Sequence, residues 1–306
     1  MIDHKKKRKF TISEVTTPRW SFEEDVIGYH DLGIDTIEVW ESKLLEYGIE
    51  KGIELLEKYS MQVSMICPLG GQILHSWPKD MRLMGCPFPL PNCPKWKRDL
   101  SELERIIDSV HLASRLDANG VWLMTGGQGT YSRQDAVKLI VKLLYDIMGE
   151  AEDKKVKIAL QPTHKKTIPP GVSIITDIPS TMEIINQVSH KNLGMYFDIC
   201  HLWDTPGIME QIPKVIDKIF GVQISDWKPT GQDISKALNN QDDRQMLGDG
   251  IIPIRNLLHA LDNAGYEEVY ALEILAQETV PGSPWTLEYR ELINKSKETF
   301  DQLWTI

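Results

Sequence analysis

Short apolar runs rich in β-branched residues alternate with amphipathic stretches of helical period along the whole 306-residue sequence. Runs of this kind are typical of strands that are buried on both faces of a parallel sheet. We predict eight of them, at Lys9–Thr17, Thr36–Trp40, Gln62–Cys67, Gly120–Thr125, Val156–Gln161, Leu193–Asp198, Phe220–Asp226 and Val269–Leu275.

The stretches between the predicted strands carry helix signals. Ser21 stands at the N-cap position of the first stretch and Glu24 follows three residues later, which together predict a capping box. The clearest predicted helices are Ser21–Leu32, Ser101–Leu116, Arg133–Ala151, Thr181–Val188, Ile254–Ala264 and Thr286–Leu303.

The strand-then-helix order predicts parallel pairing, because each crossover must return the chain to the same end of the sheet. Eight such units is the number that closes a barrel. The rival fold is an open doubly wound sheet, but Gly126, Gly127 and Gly129 lack the G-x-G-x-x-G spacing of its nucleotide-binding loop. Since no stretch has the composition of a linker, we predict a single (β/α)8 TIM barrel domain over residues 1–306.

Two segments are too long to be simple connectors: Pro68–Asp99 after the third strand and Trp227–Gly250 after the seventh. Long loops in compact domains usually bind ligands or cover a site. Both segments leave the carboxyl ends of strands, which is the face where barrel active sites lie. We therefore predict that loops 68–99 and 227–250 flank the active site.

Charge and hydropathy exclude several classes of function. The net charge of -10 and the pI near 5.3 give no electrostatic support for binding a nucleic acid backbone. The basic run Lys5–Lys9 is expected to be a solvated lead-in rather than a nucleic-acid arm. No apolar run approaches the ~18 residues of a membrane span, and the charged N-terminus is not followed by the apolar region of a signal peptide.

The four cysteines, Cys67, Cys86, Cys93 and Cys200, show neither a C-x-x-C pair nor a spacing typical of disulfides. This pattern favours a reducing compartment, so we expect a soluble, cytoplasmic protein. The first three are near enough in sequence for a zinc site, but without a fourth ligand we expect ordinary loop thiols.

Polar residues interrupt the apolar strands near their carboxyl ends: Gln161, Asp198, Gln223 and Glu273, on the fifth to eighth strands. Buried carboxylates and amides are costly unless something satisfies them. Adjacent strands bring the four side chains together at the barrel mouth, where a divalent cation would satisfy them. An all-oxygen set suits Mn, Mg or Ca better than zinc or copper. The alternative is that these side chains only hydrogen-bond within the layered core.

Five segments near the predicted strand ends stand in a recognisable order: Thr16–Asp25, Phe197–Trp203, Gln223–Trp227, Leu247–Pro253 and Leu272–Ile274. Their order and placement resemble the xylose isomerase-like TIM barrel superfamily, the broad group of sugar phosphate isomerases and epimerases. The resemblance covers nearly the whole chain.

The resemblance implies a metal held by a glutamate on the fifth strand, an aspartate on the sixth, a histidine or glutamine on the seventh and a glutamate on the eighth. Asp198, Gln223 and Glu273 match this pattern, whereas Gln161 stands where the family has glutamate. The implied cofactor is a divalent metal, with manganese expected first and magnesium or cobalt as alternatives. The missing carboxylate weakens the metal site and removes a base, so either the chemistry is reassigned or the site is degraded.

His164 lies three residues past Gln161, where a neutral imidazole could act as a general base near neutral pH. The sequence is also similar here to the catalytic subunits of C-glycoside deglycosidases, whose histidine after the fifth strand is thought to take a proton next to the ketone of an oxidised sugar. We predict His164 and Glu273 as the catalytic residues. The alternative for His164 is a loop residue without a role.

Further polar and aromatic residues near strand ends are predicted to contact substrate. His201 could instead orient Asp198, Asp226 could brace Gln223, and the tryptophans could pack the rim rather than stack on sugar rings. The predicted substrate-binding set is His201, Asp226, Asp249, Trp20, Trp40 and Trp227.

These predictions favour an enzyme that abstracts a proton beside the carbonyl of a small carbohydrate or glycoside, with isomerisation, epimerisation or β-elimination as the outcome. The similarity to C-glycoside deglycosidases adds a lyase catalytic subunit that would need a small partner chain, and pairing into a homo-oligomer stays open. A second hypothesis is a sugar-binding barrel that has lost catalysis with its fifth-strand glutamate. An abasic-site endonuclease is disfavoured, because it needs a histidine-rich three-metal cluster and the chain is acidic.

Overall fold

Eight parallel strands close into a barrel in the computed structural model, which describes residues 8–74, 100–164, 173–228, 244–276, 278 and 282–305. The predicted (β/α)8 fold is therefore confirmed. In chain order the barrel strands are β1 (Lys9–Ser13), β2 (Thr36–Trp40), β3 (Gln62–Cys67), β4 (Gly120–Leu123), β5 (Lys157–Leu160), β6 (Leu193–Asp198), β7 (Ile219–Ile224) and β10 (Val269–Leu272).

Two short strands, β8 (Asp226–Trp227) and β9 (Arg244–Gln245), lie between β7 and β10 in sequence and pair antiparallel with each other. The predicted loop 227–250 is therefore not irregular throughout, since Trp227 pairs with Arg244 in a ladder. Residues 229–243 of this loop and residues 75–99 of the other long loop lie outside the described residues, as do Cys86 and Cys93. Cys67 and Cys200 are buried thiols.

The described helices follow the strands, and two of them begin at capping boxes. The capping box of Ser21 and Glu24 is present, and Ser101 and Glu104 form a second one. No helix in the described ranges is both long and apolar enough to cross a membrane. The helices are α1 (Phe22–Asp31), α2 (Glu41–Tyr47), α3 (Ile49–Lys58), α4 (Glu102–Arg115), α5 (Arg133–Lys154), α6 (Ile178–Val188), α7 (Ile199–Leu202), α8 (Ile208–Val215), α9 (Ile254–Asn263) and α10 (Tyr289–Gln302).

Several strands end earlier at the barrel mouth than the apolar runs predict. β1 ends at Ser13 because Glu14–Thr16 turn into a short 3-10 helix, and β10 ends at Leu272 instead of Leu275. Burial continues past the last paired residue, so an apolar run does not mark the end of the ladder. The predicted fourth, fifth and seventh strands are likewise shorter, at Gly120–Leu123, Lys157–Leu160 and Ile219–Ile224.

Inside the barrel, a tyrosine contacts both a tryptophan ring and a carboxylate, and it has room to do so because the neighbouring strand has a glycine at that point. Tyr196 on β6 stacks on Trp122, with ring centroids 6.0 Å apart, and its hydroxyl donates a hydrogen bond to Glu38 on β2. The Tyr196 ring lies directly over Gly221 of β7, where an added Cβ would come within 2.1 Å of it. Position 221 therefore has to be glycine for Tyr196 to reach Glu38.

Gly221→Ala is expected to lower the free energy of unfolding by about 1–3 kcal/mol, because overpacking displaces the Tyr196 ring. Gly149→Ala is the matched control, since Gly149 is exposed on α5 with no atom within 4 Å of an added Cβ. That change should raise the free energy of unfolding by about 0.5–1 kcal/mol, because glycine is the poorer helix former. Denaturant titrations of the two variants measure both effects, and a harmless Gly221→Ala would contradict the packing described.

Candidate functional site

The four polar side chains predicted at the barrel mouth lie together. Gln161 follows β5, Asp198 ends β6, Gln223 lies in β7 and Glu273 follows β10, and all four are buried. The Gln161 amide nitrogen donates to the Gln223 amide oxygen at 2.6 Å and lies 3.5 Å from Asp198 Oδ2. The Gln223 amide nitrogen donates to Glu273 Oε1 at 2.8 Å. We call these four residues the polar ring.

A buried arginine that the sequence did not single out lies between the two carboxylates of the polar ring. The Arg244 guanidinium contacts Asp198 Oδ2 at 2.7 Å through Nη2 and Glu273 Oε2 at 2.9 Å through Nη1. Its side chain is 1% exposed. Burial lowers the pKa of Arg244, but the attraction of the two carboxylates outweighs burial and the net shift is upward. Arg244 is therefore a permanent cation inside the barrel mouth.

The polar ring does not fit a divalent metal in this packing. The carboxylate oxygens that would bind the metal are already bonded to the Arg244 guanidinium, and the Gln223 oxygen accepts from Gln161. In the part of the chain that the structure describes, no group of three or more histidine, cysteine, aspartate or glutamate side chains could hold a metal ion. In this packing the ring residues hydrogen-bond with one another and with Arg244, and the metal site stays a prediction.

Glu38 on β2 extends the polar ring across the barrel. It accepts hydrogen bonds from the Gln223 amide nitrogen at 3.1 Å, from Trp122 Nε1 at 3.3 Å and from the Tyr196 hydroxyl. Gln223 therefore donates to both Glu38 and Glu273, which fixes the direction of its amide. Burial raises the pKa of Glu38, and burial also raises the pKa of Glu273, whereas the attraction of Arg244 opposes the rise at Glu273.

His164, the predicted base, pairs with a carboxylate that sequence reasoning missed. Its Nε2 lies 2.8 Å from Oδ1 of Asp204, which follows α7. The His164 side chain is 8% exposed and that of Asp204 27% exposed, so the pair lies at the edge of the buried site. A carboxylate beside an imidazole selects which ring nitrogen carries the proton and orients the ring.

His201 lies against the polar ring. Its Nε2 is 3.5 Å from both Asp198 Oδ2 and the Arg244 guanidinium, and its Nδ1 is a buried atom with no hydrogen-bond partner in the structure described. Burial lowers the pKa of His201 to about 4, with Asp198 opposing and Arg244 reinforcing the shift. The imidazole is therefore neutral at physiological pH.

Asp226 and Asp249, both predicted to contact substrate, are placed differently. The buried Asp226 carboxylate accepts from the backbone N–H groups of Trp227 at 2.8 Å, Ile252 at 3.0 Å and Gly248 at 3.1 Å, so it holds the turn after β9. Asp249 is exposed on that turn and lines a separate surface cavity of about 400 Å³ beside α10. The structure brings neither of them into the hydrogen bonds of the polar ring.

The three predicted tryptophans have different environments. Trp20 packs at the rim, edge-on to Tyr289 at 5.5 Å and against Tyr29 at 6.1 Å. Trp40 is buried in the core at the end of β2. Trp227 is half-buried opposite Arg244 in the β8–β9 ladder, and its Nε1 is a buried donor that no described residue accepts. Of these three tryptophans, Trp227 is the one whose indole nitrogen is buried without a hydrogen-bond partner in the described part of the chain.

Comparison with known proteins decides the family. Residues 29–299 match the model of the family described as xylose isomerase-like TIM barrel. The chain belongs to this family. Members of the xylose isomerase-like TIM barrel family are mostly enzymes, which include epimerases and dehydratases. No curated protein sequence matches the chain.

Solved structures share the fold over almost the full length of the chain. A protein of Sinorhizobium meliloti 1021 has a TM-score of 0.78 and 19% identity, covering 96% of this chain and 98% of its own. The IolI protein, solved with a bound zinc atom, has a TM-score of 0.74 and 20% identity, covering 97% and 98%. The apo form of the 3-keto-D-glucoside 4-epimerase YcjR of E. coli has a TM-score of 0.69 and 15% identity, covering 95% and 100%. At such identities the likeness shows the fold alone.

His201→Gln should make the protein less sensitive to acid. The pKa of His201 is about 4 in the fold and about 6.5 in the unfolded chain, so the unfolded chain binds more protons between these values. The contribution of a neutral His201 is therefore complete above pH ~6.5 and is lost as the pH falls toward ~4, by up to about 3 kcal/mol. Denaturant titrations at a series of pH values should show a shallower decline for the variant. Equal declines would contradict the assigned environment of His201.

Proposed function

We propose that this chain catalyses proton transfer beside the carbonyl of a carbohydrate or glycoside, with His164 as the base. The observation that carries the proposal is the 2.8 Å contact between His164 Nε2 and Asp204 Oδ1 at the edge of the barrel mouth. In this fold the active site lies at that face. The proposal places the chain among isomerases, epimerases or lyases of its family, according to the fate of the intermediate.

The chemistry assigned to His164 follows from its partner. When Nε2 donates its proton to Asp204, the lone pair of the neutral imidazole resides on Nδ1, which becomes the basic nitrogen. Removal of a proton from the substrate carbon then leaves an enediolate and an imidazolium, and the Asp204 carboxylate stabilises that imidazolium. Return of the proton to the neighbouring carbon, with the hydroxyl proton passing between the two oxygens, gives an isomer. Protonation of the opposite face by a second donor gives an epimer, and departure of a β-substituent with the electron pair gives elimination.

Buried polar atoms without partners support a hydroxyl-rich ligand. His201 Nδ1, Trp203 Nε1 and Trp227 Nε1 are buried and make no hydrogen bond in the described part of the chain. Leaving such groups unsatisfied costs free energy, so a ligand that pairs with them gains by it. Sugar hydroxyls both donate and accept, and aromatic faces suit their C–H surfaces. Glu273, predicted as a second catalytic residue, is bonded to Arg244 and Gln223, so the proposal gives it no proton-transfer step.

The predicted manganese is not part of this proposal. Since Arg244 is bonded to Asp198 and Glu273, the proposal assigns the proton transfer to His164 and Asp204 and routes no step through a metal. The zinc seen in the IolI structure is a property of that protein.

Exchange of substrate hydrogen with solvent tests the proposal whichever product forms. Keto-sugars and 3-oxo-glycosides are incubated with the protein in D₂O, and deuterium incorporation and products are followed by NMR. His164→Gln should lower the exchange rate by about 10²–10⁴-fold, as expected for loss of a general base. Asp204→Asn should lower it less, because the imidazole remains.

His111→Gln is the matched control for this experiment. His111 also contacts a carboxylate, with Nε2 3.0 Å from Glu150 Oε2, but the pair is exposed on the helices α4 and α5. This variant should exchange at the wild-type rate. Exchange that is equal in wild type and His164→Gln would overturn the assignment of the base. Release of an aglycone would place the activity among lyases.

A sugar-binding barrel without catalysis is the second candidate function. It is favoured by the replacement of the expected fifth-strand glutamate by Gln161 and by the engagement of both ring carboxylates with Arg244. This function predicts that calorimetry detects binding of the same sugars while no deuterium enters them. Binding with exchange that depends on His164 supports the enzyme instead.

A further inference from the structure

We infer that Arg244 is a built-in cation: its guanidinium takes the place of a divalent metal between Asp198 and Glu273, and the folded protein binds no metal in the polar ring. The inference goes beyond the proposed reaction. It concerns how two buried carboxylates are satisfied, and it stands or falls independently of whether His164 moves a proton.

The two terminal nitrogens of the guanidinium bond to the residues around the ring, whereas its buried Nε makes no hydrogen bond in the described part of the chain. Nη2 contacts Asp198 Oδ2 at 2.7 Å, and Nη1 contacts Glu273 Oε2 at 2.9 Å, which are distances typical of strong charge-assisted hydrogen bonds. Nη1 also lies 3.2 Å from Ser225 Oγ and 3.2 Å from the Glu273 carbonyl oxygen. One planar group therefore bridges carboxylates that come from β6 and from the end of β10.

The backbone around Arg244 fixes its position. Arg244 pairs with Trp227 in the β8–β9 ladder, and its N–H donates to the Leu275 carbonyl at 3.0 Å. Asp226 then holds the turn that follows through three backbone N–H groups. The side chain thus enters the ring from a segment that is bonded on both of its edges. A metal could bind at Asp198 and Glu273 only by expelling a group that the fold holds there.

Gln161 is the second part of the arrangement. Its amide nitrogen donates to Gln223 Oε1 at 2.6 Å and faces Asp198 Oδ2 at 3.5 Å. A glutamate in the same place would set acceptor against acceptor at both contacts, unless a cation lay between them. With an amide at 161, the oxygens of Asp198 and Gln223 are linked by N–H groups and need no metal. Arg244 and the Gln161 amide together supply the positive ends that a metal would supply.

Metal binding by the purified wild-type protein is the first measurement. After dialysis against chelator and then against Mn²⁺ or Zn²⁺, elemental analysis should find well below one ion per chain in the polar ring, and the melting temperature should not respond to either ion. Asp198→Asn identifies binding at other sites, because ions bound elsewhere remain in that variant. About one ion per chain that Asp198→Asn abolishes would overturn the inference.

Replacement of Gln161 and Arg244 together is the second measurement. The double variant Q161E/R244A has a third carboxylate and lacks the guanidinium, so it should bind one Mn²⁺ or Zn²⁺ and gain stability with it, since only the folded ring binds the ion. Calorimetry should show at least ~100-fold tighter binding than in wild type, which corresponds to about 2.8 kcal/mol at 1.4 kcal/mol for each factor of ten.

R133A is the matched control, because Arg133 also pairs with a carboxylate, Glu183 at 2.8 Å, but on the exposed surface. This variant should gain no metal site. A folded Q161E/R244A that binds neither ion would overturn the claim that Arg244 stands in a metal's place. If the double variant does not fold with or without metal, the wild-type measurement with Asp198→Asn decides alone.

Discussion

The contact of the Arg244 guanidinium with Asp198 and Glu273 is the interaction on which the rest of the barrel mouth depends. Two carboxylates taken out of water are costly, and their cost is repaid only when a cation meets them in good geometry with the remaining donors satisfied. Arg244 brings that cation from β9, Gln223 donates to Glu273 Oε1 and the Cys200 N–H donates to Asp198 Oδ1, whereas Arg244 Nε makes no hydrogen bond in the described part of the chain. The guanidinium also helps burial to lower the pKa of His201 and so to keep its imidazole neutral.

The fold was predictable because a closed barrel repeats one physical rule eight times. Strands buried on both faces must be apolar throughout, and the chain must cross back after each of them, so composition and order together specify the topology. Strand ends were less predictable. At β1 and β10 the apolar run continues into residues that are buried but lie outside the strand ladder. The hydropathy of a sequence therefore predicts which residues are buried, but it does not predict where the hydrogen-bonded strand ladder ends.

The site was predictable in part for a related reason. Polar side chains inside apolar strands had to meet at one end of the barrel, which located Gln161, Asp198, Gln223 and Glu273. The same rule applied to β2 would have found Glu38, which interrupts an equally apolar run. Arg244 gave no such signal, because it stands in a long polar segment where a charged residue is ordinary. Only the antiparallel pairing of β8 with β9 carries it to the carboxylates, and that pairing is a tertiary event.

A cation that is attached to the chain differs from one that is captured from solution. Because the β8–β9 ladder and the Asp226 turn hold the guanidinium at the mouth, its occupancy is settled when the protein folds. Its local concentration is set by the tether and not by the supply of ions outside. The charge state of the mouth is then the same in a metal-starved and a metal-replete environment. Such a barrel cannot exchange its cation, because a guanidinium attached to the chain cannot be replaced by a metal ion that is a stronger Lewis acid.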